Sequence, residues 1–224
     1  EVEQDIDDLI AVDFLHRSGR LKGVVLDPLP QEKSDWDRVK EIKNMGVEIY
    51  KNIPYCRAIF VGGPFTLVSK YLLTHRVDYI VANGGFVGAN IIKPEAQLKK
   101  FQGQTHVRTF NFCRDVNSVL NVLKSKNFGK MLLVGKNVCH DERNTISGIW
   151  KNDWIKEYGI GDKKRLHDLL AYSEGLKFID GKESTLLNYS LIRPEAIISK
   201  DLKYTKFGSV LDNDSNILAA TTWK

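Results

Sequence analysis

The sequence predicts an α/β fold: a mostly parallel sheet with helices on both faces and an antiparallel hairpin at the C-terminus. Short aliphatic runs at 21–26, 58–61, 79–81 and 131–134 alternate with segments of helical period. That alternation is the pattern of βαβ units, whose parallel strands are buried on both faces. At the C-terminus, 207–211 and 217–222 instead flank the polar turn Asp212-Asn213-Asp214-Ser215, which reads as a hairpin. With 224 residues, 42% of them hydrophobic, the chain can bury a substantial core. No repeat or linker divides it, so a single domain over 1–224 is expected.

The elements follow in order. Residues 7–15 place Ile10 and Phe14 one helical turn apart with Leu9 alongside, and Ser34-Asp35-Trp36-Asp37 offers a cap for a helix over 38–45. The strand at 79–81 runs into the glycine-rich loop Asn83-Gly84-Gly85-Phe86-Val87-Gly88-Ala89-Asn90. Glycines at the carboxyl end of a parallel strand permit a ligand to approach the backbone closely. A helix beginning near Val116 is expected to end at Asn127-Phe128-Gly129, and a helical region over 147–156 to break at Gly159 and Gly161.

Composition excludes some classes. No apolar run approaches the roughly 18 residues that span a bilayer, and no signal-like start is visible. A soluble, cytoplasmic protein with no membrane partner is therefore expected. The three cysteines, Cys56, Cys113 and Cys139, are widely spaced and form neither a disulfide framework nor a CxxC pair, so reduced, mostly buried thiols are expected. Cys139-His140-Asp141-Glu142 reads as surface polarity. The net charge of +5 favours anionic partners such as phosphorylated substrates, with nucleic acid a weaker expectation, although the basic residues are scattered.

Two features carry chemistry. Five of the first eight residues are acidic: Glu1, Glu3, Asp5, Asp7 and Asp8. Like charges this dense repel one another unless they are fully solvated or share a hard cation, and the cluster alone leaves both readings open. His167-Asp168 leads an apolar helical run, where such a pair is ordinarily a cap.

Their order along the chain is more specific. The acidic start is followed by Gly63-Pro64-Phe65-Thr66, Gly84-Gly85 with Gly88-Ala89-Asn90, Phe110-Asn111-Phe112 with Asp115, and His167-Asp168-Leu169-Leu170-Ala171. Through nearly its whole length the chain resembles the inosine/uridine-preferring nucleoside hydrolases, whose motifs DTDPGxDDAxA, GPLTN, GG…GN, EFN and HDPLA come in the same order. The resemblance implies a Rossmann-like sheet and an N-glycosidase that hydrolyses nucleosides. It further implies Ca²⁺ held by Glu3, Asp8, Asp168 and a carbonyl near Gly62, and sugar hydroxyls held by Asp7, Asn90 and Asn111. Glu3 would take the proton of the attacking water, and His167 would protonate the leaving base. A homo-oligomer is also implied.

Several positions depart from the family. Glu3 stands where the family has Asp, Gln4-Asp5 replaces Pro-Gly, and Leu67 replaces the Asn of GPLTN. Thr109 stands at the Glu expected to bind the 5′-hydroxyl. Losing that carboxylate, beside Arg108 and Arg114, suggests a nucleotide or a DNA end as ligand; loss of selection on a degenerate copy explains it equally. The alternative function is accordingly a catalytically impaired relative that binds a nucleoside, a nucleotide or a macromolecular partner. The resemblance also implies a strand before Glu1, which either precedes this sequence or is dispensed with by the sheet. The segment 144–164 is expected to form the leaving-group pocket.

Overall fold

The computed structural model describes residues 6–27 and 33–224. Along it run α1 (Asp7–Arg17), β1 (Val24–Val25), α2 (Lys33–Asn44), β2 (Ile49–Tyr50), β3 (Ala58–Val61), α3 (Thr66–Tyr71) and β4 (Val77–Asn83). There follow β5 (His106–Val107), α4 (Phe110–Arg114), α5 (Val116–Lys124), β6 (Phe128–Val134), α6 (Lys136–Cys139), α7 (Asp153–Lys156) and α8 (His167–Ile179). The chain closes with β7 (Leu187–Ile197), β8 (Lys206–Leu211) and β9 (Ile217–Trp223). A seven-stranded sheet has the order β3-β4-β6-β9-β7-β8-β5, and β1 and β2 form a separate parallel pair.

Within the large sheet β3, β4, β6 and β9 are mutually parallel, while β7, β8 and β5 continue it antiparallel. The two-residue period of a strand explains how both faces are covered. Ile59, Val61, Ile80, Ala82, Met131 and Leu133 pack on one side with Val68 and Tyr71 of α3 and Val116, Val119 and Val122 of α5. The alternate residues Val81, Leu132 and Val134 pack on the other with Ile10, Ala11 and Leu15 of α1 and Leu169, Leu170 and Tyr172 of α8. Both faces are therefore apolar, and the strands read as unbroken hydrophobic runs.

The α/β class, the parallel strands and the C-terminal antiparallel strands agree with the sequence reading. Four details do not. The strands at the two ends of the polar turn are real, but they do not pair with each other, because β7 lies between them and pairs antiparallel with both. Only Leu187 and Ile192 of it are buried, and Arg193, Pro194 and Glu195 interrupt its second half, so the run lacks the apolar signature. The expected helix over 147–156 is reduced to α7, since Ser147, Gly148 and Trp150 donate their amides to turn and loop carbonyls. Phe128 and Gly129 open β6 rather than ending α5. Only Val24 and Val25 of 21–26 are strand.

Candidate functional site

Because β3, β4 and β6 are parallel, their carboxyl ends open on one side of the sheet, where open α/β sheets place ligands. A cleft of about 1550 Å³ lies there. Gly62 follows β3, Asn83 ends β4, and Lys136 lies two residues beyond β6. All three line the cleft with Asp7, Asp8, Thr109, Asn111, His140, His167 and Asp168.

Asp7 joins the two ends of the chain. The backbone amides of Asp168 and Leu169, at the open N-terminus of α8, donate to its carboxylate at 2.8 and 3.4 Å. A buried carboxylate satisfies amides that the helix itself cannot, and its charge is favourable beside them. This docks α1 on α8 and sets Asp168 beside Asp8. Asp168 is buried and receives Asn83 Nδ2 at 2.8 Å. Burial, then the charges of Asp8 and Asp7, push its carboxyl well above the ordinary range, and Asp8 shares a hydrogen bond with it.

Gly62 closes the floor. A Cβ there would lie 3.0 Å from Asp8 Oδ1 and 3.1 Å from Asp168 Cγ, so a side chain would press on both carboxylates. Asn111 Nδ2 donates to the carbonyls of Gly62 and Asn83 at 2.9 and 3.0 Å, tying α4 to the ends of β3 and β4.

The donor chemistry fits Ca²⁺: two adjacent carboxylates, one of them buried, repel each other until a proton or a cation joins them, and hard cations prefer oxygen. Among the described residues no group of three or more His, Cys, Asp or Glu side chains is arranged to hold a metal ion. Asp8 and Asp168 would therefore be a partial set. Glu3, expected as base and ligand, and its neighbours Glu1, Gln4 and Asp5 lie outside the described residues.

Of the residues expected from sequence, Asp7, Asp8, Gly62, Thr109, Asn111, His167 and Asp168 line one cleft. Asn90 does not: it is exposed, and its Nδ2 donates to the Ser209 carbonyl at 2.6 Å. The amide that donates to Asp168 is Asn83, at the opposite end of the glycine loop. Two of the loop's glycines are required by the protein's own packing. A side chain at Gly84 would collide with the Phe112 ring, and one at Gly88 with the backbone of Gln104 and Thr105. Asp115 caps α5, accepting the Ser118 amide at 3.1 Å and the Thr66 hydroxyl at 2.8 Å.

Two further corrections concern the cleft walls. No residue of 144–164 lines the cleft, because that segment folds back on itself, with Thr145 bridged to Arg165. Lys136, Cys139 and His140 do line it. The group at 139–142, expected as surface polarity, is largely inside: Cys139 and Asp141 are buried, and the His140 ring lies 4.8 Å from that of His167. Burial raises the Cys139 thiol well above its ordinary value, which makes it inert. Only the Val138-Cys139 step of the apolar pattern hinted at a buried turn here.

No helix among the described residues is long and apolar enough to cross a membrane. No family model matches the chain and no curated protein matches it in sequence.

Proposed function

We propose that the chain hydrolyses the N-glycosidic bond of a nucleoside or nucleotide. The observation that carries the reading is the meeting of Asp7 and Asp8 with Asp168, some 160 residues away, at the carboxyl ends of the parallel strands. A sugar-binding cation site needs that convergence of oxygen ligands. Asp8 and Asp168 would hold Ca²⁺, which when bound supplies a water of lowered pKa and a grip on vicinal hydroxyls. Asn111, its carboxamide locked by two carbonyls, presents Oδ1 to a sugar hydroxyl. His167, at the first turn of α8, faces the cleft as donor to the departing base.

A second reading, a protein that binds the sugar but turns it over poorly, is favoured by one observation. Both Asp7 oxygens accept amides of α8, so this carboxylate braces the fold as well as facing the cleft.

The test is release of free base from inosine and uridine with Ca²⁺ and with EGTA, beside calorimetry of Ca²⁺ binding. The wild-type chain should bind Ca²⁺ and release base, and Asp8→Asn should lose both. A wild-type chain that binds Ca²⁺ and nucleoside yet releases no base establishes the second reading, and one that binds neither overturns both.

A further inference from the structure

The cleft has a second wall of opposite charge. Lys136 and His140 line it, and Lys100 Nζ donates to His140 Nδ1 at 2.7 Å, which fixes that ring as an acceptor there. On the other side, Lys136 Nζ donates to the Arg108 carbonyl at 2.9 Å, next to Thr109 in the chain. Arg114, also lining the cleft, stacks its guanidinium 5.3 Å over the Phe110 ring, which is 72% exposed. Thr109 is only 4% exposed, and its Oγ1 has no hydrogen-bond partner among the described residues. A buried hydroxyl left this way calls for a ligand or a water.

Burial is the chief cause that makes Lys100 and Lys136 less basic, and neighbouring cations add to it. After burial, the charges that make Lys100 less basic are Arg165 and Lys136. Burial and then His167, Lys100, Lys136 and Arg165 bring His140 down to about 3. The adjacent carboxylate, Asp141, is taken through both oxygens by Arg143, at 2.9 and 2.8 Å. Such a cluster is relieved by an anion.

We propose that this wall is an anion subsite and that the ligand carries a phosphomonoester on its sugar, seated against Lys136 and Arg114 above Thr109. The sugar hydroxyls then face Asp8 and Asp168. The identity of the ligand as a sugar phosphate rests on the glycosidase reading; the anion subsite itself does not.

The test compares ribose 5-phosphate with ribose by calorimetry on the 224-residue chain in Ca²⁺ buffer. Ribose 5-phosphate should bind about tenfold more tightly or better, and the advantage should shrink with added KCl, as screening requires. It should approach unity in Lys136→Gln and fall in Arg114→Gln, an exposed position whose substitution leaves folding intact. Equal affinity for the two sugars, or an advantage unchanged in both variants, overturns the proposal. If neither sugar binds, the glycosidase reading fails and inorganic phosphate in EDTA decides. Phosphate binding lost in Lys136→Gln upholds the anion subsite, and no binding overturns it. Capture of a single-stranded oligonucleotide without ribose 5-phosphate or phosphate also overturns it.

Discussion

Asp7 is buried against the start of α8, whereas Asp8 is exposed and faces the carboxyl of Asp168. Asp7→Ala orphans two buried amides, so it should cost about 1–3 kcal/mol in urea unfolding. A loss within error would show that the brace is not needed. His140 supplies a pH test. Its folded value of about 3 lies below the ordinary 6.5 for the imidazole, so the folded chain favours the neutral ring. That contribution is present above about pH 6.5 and is lost as pH falls toward 3, because the unfolded chain takes up the proton first. Between pH 7 and pH 4 the wild-type chain should therefore lose more stability than His140→Gln, and parallel urea midpoints would contradict this. His140 was all but illegible in sequence, because beyond the Val138-Cys139 step nothing local says that residue 140 turns inward. Its burial is set by Lys100, Phe101 and His167, all distant in the chain.

At the scale of elements, α8 decides the site. It lies so close to the sheet that a Cβ at Gly175 would sit 2.5 Å from Val81 Cγ1 and 2.7 Å from Phe60 Cε1. Gly175→Ala should therefore push the helix outward, at about 1–3 kcal/mol in stability. Since α8 carries His167 and Asp168, Ca²⁺ affinity should fall as well; stability lost with Ca²⁺ binding intact would mean the helix repacks without moving its first turn. The apolar run after His167-Asp168 was legible as a helix because nearly all of its first two turns is buried. The close approach at Gly175 was not, since a helical glycine has the same local signature whether it packs or not. The 147–156 error has the opposite cause: local apolar spacing suggested a helix, and long-range hydrogen bonds from Ser147 to Asp162 won.

For the whole molecule, the proposed cation site would link binding to folding. Asp7, Asp8 and Asp168 meet only when the fold is complete, so a ligand of the folded state adds RT ln(1 + [L]/Kd), about 2.7 kcal/mol at a hundredfold excess over Kd. Ca²⁺ should raise the unfolding midpoint of the wild-type chain and leave that of Asp8→Asn unmoved. Equal shifts in the two would place the cation elsewhere. The sequence by itself determined the α/β class, the parallel strands β3, β4 and β6, and the helices α1 and α5, because these are set by local periodicity and by residue type. Only the tertiary structure decided that β7 enters between β9 and β8, that Asn83 rather than Asn90 meets the acidic pair, and that a cationic wall faces an acidic floor. Each of those depends on which distant segments pair, and a strand's partner is chosen by the packing of the whole sheet rather than by its own residues.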